Sequence, residues 1–338
     1  MSYLHNKKFL ITGGTGSVGQ VLTARLLESG AETVRILSRD EYKQYRMEQK
    51  FSESRRRLRF LLGDVRDKER LQRATEGIDY VFHLAALKHV PACEYNPYEA
   101  VKTNVLGTQN IIEASIEQGV RAVLYTSSDK AAGPTNTMGA SKLLAERLII
   151  AANETKGPRE IKFLSVRFGN VLNSSGSVIP LFKRQIRRGG PVTVTNPNMT
   201  RFFMSAERAV DLILEALSHS EGGECYVLKM PVLSIGVLAE SIIKMSALDI
   251  PVKEIGLRPG EKMFEELMSG EESERTLETP SMFIVLPFYR SVEQGLKLYK
   301  NAKKTEAGVY SSQLETPLTP EQTIDLLKPL VHFKKREV

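Results

Sequence analysis

The sequence has no tryptophan and only two cysteines, Cys93 and Cys225, among its 338 residues. Two thiols are too few for a disulfide framework or a metal cluster, so we expect both to be reduced and predict no metal site. No apolar run approaches the roughly 18 residues that a membrane span needs. The first residues enter a strand pattern at once, which leaves no room for a signal peptide. We therefore expect a cytoplasmic protein.

The charge is unbalanced but not concentrated, since 47 basic residues face 40 acidic ones, for a net charge of +7. The densest basic run, Arg55 to Arg57, lies in a polar stretch without interleaved aromatic residues or a recognition motif. We expect a solvated surface there and no nucleic-acid partner. The net charge itself suits an anionic small-molecule ligand.

Short apolar runs alternate with helical patterns through the first half of the chain. Predicted buried strands cover residues 8–12, 33–38, 58–63, 80–85, 122–127 and 161–168. Helical periodicity covers residues 18–29, 41–51, 68–74, 98–118 and 138–153. This alternation predicts an α/β fold with a doubly wound parallel sheet, the Rossmann architecture.

After residue 169 the alternation stops, and glycine, proline, serine and asparagine become frequent over 170–200. We predict a dinucleotide-binding domain at 1–169 and a smaller substrate-binding region at 170–290. A helix at 205–217 is expected to return to the main sheet. The remaining tail, 291–338, has one further predicted helix at 320–330.

The segment ITGGTGSVGQ places Gly13, Gly16 and Gly19 between the first strand and the first helix. Glycines there allow a tight turn and let a pyrophosphate approach backbone N–H groups at the helix N-terminus. A purely structural turn is the alternative. The G-x-x-G-x-x-G spacing resembles the extended short-chain dehydrogenase/reductase superfamily, and the cofactor residues expected in this loop also include Thr15, Ser17 and Val18.

The second strand ends in Ser38, Arg39 and Asp40, with Lys43 one turn further on. Enzymes that use NAD usually carry a carboxylate where Ser38 stands, and Arg39 and Lys43 can pair with a 2′-phosphate. These residues therefore favour NADP, although they can also be surface charges at a helix start. The superfamily resemblance extends the cofactor track to Asp64, Val65, Ala85, Ala86, Lys88 and Asn104.

The fifth strand leads into SSDKAAGPTNTMGASK, which places Ser128, Asp129 and Lys130 where doubly wound enzymes carry out their chemistry. The end of this segment resembles a Tyr-x-x-x-Lys pair, but Met138 stands in the tyrosine position before Lys142. A thioether cannot transfer a proton. An adjacent acid and base suit the removal of water from a sugar, which a plain epimerase does not need.

Five segments together resemble the inverting UDP-N-acetylglucosamine 4,6-dehydratases: the one just quoted, LAALKHVPACEYNP, RFGNVLNSSGSVIPLF, MTRFFM and RPGEK. Some members of that family are similar to this chain in having Met at the position of Met138. The resemblance implies oxidation of C4, removal of the C5 proton by Lys130 in a neutral form of lowered pKa, and protonation of the C6 hydroxyl by Asp129. Hydride then returns to C6, and C5 is inverted to the L-arabino configuration. Lys142 is expected at the nicotinamide ribose, and the acceptor of the C4 proton stays open between Ser128, Lys130, Lys142 and a water chain.

The resemblance also implies a set of residues that bind the UDP-sugar. Arginines are expected to clamp the diphosphate, a glutamate to accept from the uridine ribose, and a lysine to reach the sugar. These substrate residues are Lys88, Asn170, Ser177, Val178, Lys183, Thr195, Arg201, Arg258 and Glu261. We also expect a homo-oligomer built from dimers, with a hexamer as one form.

Two other functions stay open. A UDP-hexose epimerase shares the fold but has no need of Asp129 and Lys130. A catalytically silent NADP-binding regulator is favoured by Met138 and disfavoured by the retained Asp129, Lys130 and Lys142.

Overall fold

The computed structural model describes residues 2–174, 176–258 and 260–333. Its strands, in chain order, are β1 Lys8–Thr12, β2 Thr33–Ser38, β3 Leu58–Leu62, β4 Tyr80–His83, β5 Ala122–Thr126, β6 Lys162–Arg167, β7 Asn170–Val171, β8 Val192–Val194, β9 Thr200–Met204, β10 Cys225–Leu228, β11 Val232–Ser234, β12 Val252–Glu254, β13 Glu266–Met268, β14 Thr276–Glu278, β15 Met282–Val285, β16 Lys303–Lys304 and β17 Tyr310–Ser311. Its α-helices are α1 Ser17–Glu28, α2 Glu41–Lys50, α3 Lys68–Thr75, α4 Val90–Tyr95, α5 Pro97–Ala100, α6 Gly107–Glu117, α7 Thr137–Thr155, α8 Val178–Arg187, α9 Ala206–His219, α10 Ile235–Ser246, α11 Gly270–Ser273, α12 Val292–Leu298 and α13 Pro320–Leu327.

Ten strands form the main sheet, in the order β16-β14-β15-β10-β6-β5-β4-β1-β2-β3. The seven strands from β10 to β3 are parallel, and β15, β14 and β16 extend this sheet antiparallel. One face is covered by a core that includes α1 and α9, and the other by a core that includes α3, α6 and α7. Apolar side chains fill both faces because parallel strands are buried on both sides. The doubly wound α/β prediction is confirmed.

The six predicted strands are all present, although four of them are shorter than predicted at one or both ends. The strand predicted at 80–85 ends at His83, so Ala85 and Ala86 lie in the loop beyond it. The helix predicted at 98–118 is divided between α5 and α6 by a π-helical segment, Val101–Leu106. Helix α9 covers the segment predicted at 205–217 and packs with α1 in one core.

The chain after residue 169 contributes strands to the main sheet and also forms a separate small sheet. Strands β10, β14 and β15 join the main sheet, whereas β7, β9 and β11 form a separate three-stranded sheet. Helices α8, α10 and α13 share a third apolar core, in which Leu327 of α13 is fully buried. The division at residue 169 stays a prediction, and residues 334–338 of the predicted tail lie outside the described residues. Within the described ranges, no helix has the length and apolarity to cross a bilayer.

Arg167, the last residue of β6, is buried between two glutamates. Its guanidinium donates to Glu146 of α7 at 2.8 Å and to Glu272 of α11 at 2.7 Å. A buried guanidinium needs such partners, because an unpaired charge in the interior is strongly destabilising. The triad thus connects α7, β6 and the segment around α11.

Candidate active site

A cleft of about 1030 Å³ opens at the carboxyl ends of the parallel strands. This is the edge at which doubly wound folds bind their ligands. The cleft brings together residues predicted from separate segments: Gly13, Thr15, Gly16, Ser17, Val18, Gly19, Ser38, Arg39, Asp40, Lys43, Asp64, Val65, Ala85, Ala86, Lys88, Ser128, Asp129, Lys130, Met138, Lys142, Asn170 and Ser177. Sequence reasoning missed other lining residues, among them His89 and Phe168, although both lie within segments quoted for the resemblance.

The glycine loop leaves room for a bound dinucleotide. Gly13 has a φ of +67°, and a Cβ there would lie 2.9 Å from the backbone of Ala85. Gly16 precedes α1 in an extended conformation, and no side chain caps the helix. A Cβ on Gly19 would lie 2.5 Å from the carbonyl oxygen of Gly14. The uncapped helix N-terminus and the small residues around it fit a pyrophosphate.

The end of β2 carries two basic side chains beside two acidic ones. Arg39 lies 3.5 Å from the Asp64 carboxylate, and Lys43 lies 3.0 Å from that of Asp40. Asp40 also caps α2 by accepting from the backbone N–H of Lys43. Burial raises the pKa of Asp64, but hydrogen bonds from Arg66 outweigh this effect and lower it. Ser38 adds a hydroxyl 3.0 Å from that of Thr15.

Asn104 is buried and does not line the cleft. Its side-chain oxygen accepts from the Leu87 N–H at 2.7 Å, and its amide donates to the Leu87 carbonyl and to Ser141. It therefore fixes the loop that follows β4, next to Lys88.

Ser128, Asp129 and Lys130 follow β5 and form a hydrogen-bonded acid–base group. The Asp129 Oδ1 atom accepts from the Ser128 hydroxyl at 2.8 Å and from the Lys130 Nζ atom at 3.0 Å. The other carboxylate oxygen of Asp129 is buried and has no hydrogen-bond partner among the described residues. Lys130 is partly exposed to the cleft, with 23% of its side chain accessible.

Glu265 completes this group, and sequence reasoning missed it. Its carboxylate lies 3.3 Å from Lys130 Nζ and 3.6 Å from Arg201 Nε. Burial lowers the pKa of Lys130, but the carboxylates of Asp129 and Glu265 outweigh that effect and raise it. The expected lowering of the Lys130 pKa is therefore wrong. The acid in MFEELM has no spacing relation to the Asp-Lys pair that could have identified it.

Lys142 and Met138 are both buried on α7. Lys142 Nζ donates to the Thr126 carbonyl at 2.6 Å and lies 4.2 Å from the centre of the Tyr125 ring. Burial lowers the Lys142 pKa to about 7. Met138 packs in a small apolar cluster with Cys93 and Ala100. This segment therefore offers a lysine that can be neutral near pH 7 beside a side chain that cannot carry protons.

Six predicted substrate residues do not line the cleft: Val178, Lys183, Thr195, Arg201, Arg258 and Glu261. Arg201 instead donates to the carbonyls of Thr200, Lys262 and Met263. Glu261 accepts from the Arg258 backbone N–H, and Lys183 lies over the Phe333 ring. Their roles toward a substrate stay predictions, and Pro259 of the RPGEK motif lies outside the described residues. The described part of the chain contains no group of three or more His, Cys, Asp or Glu side chains that could hold a metal ion.

Comparison with known proteins places this geometry in context. A family model described as polysaccharide biosynthesis protein matches residues 9–287. The chain is 41% identical over 292 residues to a UDP-N-acetylglucosamine 4,6-dehydratase (inverting) of Campylobacter jejuni, with 86% of each chain covered. It is 45% identical over 271 residues to a UDP-glucose 4-epimerase of Rickettsia conorii, with 79% of each covered. The X-ray structure of Pen from Bacillus thuringiensis matches with a TM-score of 0.91 and 43% identity, over 98% of this chain and 100% of that one.

Proposed function

The chain belongs to the polysaccharide biosynthesis protein family, and from this premise we propose that it is an inverting UDP-N-acetylglucosamine 4,6-dehydratase. The observation that carries the proposal is the contact between Asp129 and Lys130 at the cleft wall. Loss of water across C5 and C6 needs a base for the C5 proton and an acid for the departing hydroxyl. The amine of Lys130 can supply the base, and the neighbouring carboxyl group of Asp129 can supply the acid.

The cofactor in this proposal is a nicotinamide dinucleotide. The glycine loop and the N-terminus of α1 would hold its pyrophosphate, and Ala85 and Ala86 would border it. The cofactor supplies a hydride acceptor for C4 and, later in the same turnover, a hydride donor for C6. We propose NADP, because Arg39 and Lys43 stand where a 2′-phosphate would meet them and Ser38 replaces the carboxylate usual for NAD.

Lys142 is our choice for the proton acceptor at the C4 hydroxyl. Met138 cannot fill that role, and the Ser128 hydroxyl donates its hydrogen bond to Asp129. With a pKa of about 7, Lys142 is neutral in a large fraction of molecules at neutral pH. A neutral amine can donate one hydrogen to the Thr126 carbonyl and still offer its lone pair to the substrate.

The Asp129–Lys130 pair restores itself in each turnover. It is an ion pair, and transfer of one proton between the two atoms, which lie 3.0 Å apart, turns it into a carboxylic acid and a neutral amine. A substrate that excludes water favours this neutral form, because desolvation penalises charges. Lys130 then takes the C5 proton and Asp129 gives its proton to the leaving hydroxyl, which regenerates the ion pair. The proton that the C4 hydroxyl group gives up balances the new proton that C5 receives on the opposite face.

The remaining assignments extend the same proposal. Lys88, Asn170 and Ser177 line the cleft, and in this proposal they bind the UDP-sugar. Arg201, Arg258 and Glu261, with Val178, Lys183 and Thr195, stay assigned to the nucleotide on the strength of the resemblance to the inverting dehydratases. A cytoplasmic homo-oligomer is part of the proposal.

The experiment is to incubate the purified protein with UDP-N-acetylglucosamine and follow the reaction by NMR. A dehydratase produces a methyl doublet from C6 and a ketone at C4, and the Lys130→Ala variant serves as the matched inactive control. An unchanged substrate spectrum with the cofactor-loaded protein would overturn the proposal.

A UDP-hexose 4-epimerase is the second candidate, because the Rickettsia conorii relative at 45% identity bears that name. An epimerase would convert UDP-glucose or its N-acetyl analogue into the C4 epimer without producing a methyl group. The same NMR experiment, run with both sugars, therefore separates the two functions.

A further inference from the structure

Lys130 is held between two carboxylates, and only one of them faces the main cleft. Asp129 lines the cleft with Lys130, whereas Glu265 borders a separate small polar cavity of about 10 Å³, which Lys130 also lines. Gly133 and Lys262 also border that cavity. The carboxylate of Glu265 therefore reaches the amine from outside the space that a substrate would fill.

Glu265 is itself firmly anchored. Its backbone N–H donates to the Ser312 hydroxyl at 3.0 Å, and its carbonyl accepts from the Ser312 N–H at 2.9 Å. The preceding segment is held by Lys262, which donates to the Gly133 carbonyl, and by Arg201, which donates to the Lys262 and Met263 carbonyls. The backbone of Glu265 is thus held in place beside Lys130, and 6% of its side chain is accessible.

We infer that Glu265 is a positioning residue that holds the Lys130 amine against Asp129 and keeps the pair in its charged form until a substrate occupies the cleft. This inference rests on the proposed dehydratase function. Two carboxylates around one amine stabilise the ammonium ion, in agreement with the raised pKa of Lys130. Without Glu265, the amine would lose its proton more easily, and its side chain would lose one of its two anchors.

Several charged groups lie around Lys130, and three of them, Asp129, Glu265 and Arg201, shift its pKa. Asp129 belongs to its own turn, Glu265 precedes β13, Arg201 lies on β9, Lys262 borders the small cavity and Lys142 of α7 lines the same cleft. Burial, together with the Asp129 carboxylate, raises the pKa of Glu265 despite the nearby Lys130 and Arg201. Glu265→Gln is the cleanest perturbation because it removes one charge and preserves the shape.

The first test is the pH profile of kcat, measured with UDP-N-acetylglucosamine. In Glu265→Gln we expect the whole bell-shaped profile to move to lower pH by about one unit, since an opposite charge within about 4–6 Å shifts a pKa by that order. Glu265→Asp keeps the charge one methylene further away, so its kcat should fall while the position of the profile is largely retained. Glu266→Gln, the same change one residue along the chain, should leave both unchanged.

The second test needs no activity. Competitive acetylation with acetic anhydride, read by peptide mass spectrometry across pH, reports when the Lys130 amine loses its proton. We expect a midpoint above the ordinary lysine value of about 10.4 in the parent and a lower one in Glu265→Gln. A parent midpoint below the ordinary value, or a folded Glu265→Gln variant with an unchanged midpoint, would overturn the inference. If the parent gives no dehydrated product yet shows the expected midpoints, the proposed function fails while the positioning role of Glu265 stands.

Discussion

Replacing Lys142 by methionine tests the buried amine by its effect on stability. Lys142 is 5% exposed, and its pKa falls from 10.5 to about 7. Each pKa unit corresponds to about 1.4 kcal/mol, so keeping this lysine buried costs roughly 5 kcal/mol at neutral pH. Methionine is unbranched, fills similar space and has no charge to desolvate.

The sign of the pH dependence follows from counting protons. Between pH 7 and about 10.5 the unfolded chain keeps the Lys142 proton while the folded protein has lost it. The free energy of unfolding of the parent therefore rises with pH in that window, by at most about 1.4 kcal/mol per pH unit from this group. The destabilisation by the buried Lys142 is absent above pH 10.5, grows as the pH falls, and is complete below pH 7.

We expect Lys142→Met to be more stable than the parent at pH 7 by about 2–4 kcal/mol, after allowing about 1 kcal/mol for the lost hydrogen bond to Thr126. That advantage should shrink by roughly 2–3 kcal/mol by pH 9. Urea unfolding of cofactor-free protein, followed by circular dichroism at pH 7, 8 and 9, measures both quantities. Lys297→Met on the exposed face of α12 is the matched control, because it removes a lysine without a buried amine. A difference between parent and Lys142→Met that stays constant over this pH range would refute the reasoning.

Three further predictions concern the cofactor and the reaction. Arg39→Glu should weaken NADP binding at least tenfold, about 1.4 kcal/mol, without a matching loss of NAD binding. Equal losses for the two cofactors in fluorescence titrations would contradict the 2′-phosphate assignment. Met138→Ala should retain substantial activity whereas Lys130→Ala loses nearly all of it; comparable losses in both, with fold and cofactor content intact, would show that Met138 has more than a packing role. In deuterated water the product should carry deuterium at C5, keep at C6 the hydrogen that began on C4, and have the L-arabino configuration. A D-xylo product would leave the dehydratase function standing and exclude inversion.

The parts of the fold that were predictable are those encoded locally. Each of the six predicted parallel strands is a short, mainly apolar run, and the glycine loop joins a strand to a helix within a few positions. Residues on that framework, such as Gly13, Ser38 and Asp129, meet in one cleft because parallel strands share a carboxyl edge. Once the strand order is known, the topology explains why these residues lie close together.

What escaped prediction depends on contacts between distant segments. Strands β10 and β15 are short, and the place of β10 beside β6 and of β15 beside β10 follows from tertiary packing rather than from any pattern of their own. Glu265 is one acid among many in its segment until the fold brings it to Lys130. The expectation that Lys130 has a lowered pKa failed for the same reason, because the second carboxylate was unknown. Arg201 was selected for its chemistry, but sequence alone could not reveal that neighbouring carbonyls occupy its guanidinium.

The insertion of β10 beside β6 has a consequence for any attempt to express the two parts separately. A fragment that ends near residue 169 would leave β6 as an open edge, with unpaired N–H and C=O groups along a strand rich in apolar residues. The same cut would strip Arg167 of Glu272 and remove α9 from the face that α1 covers. Such a fragment is a candidate for aggregation rather than a minimal dinucleotide-binding module. Dissection of this protein is therefore better pursued through point substitutions than through truncation.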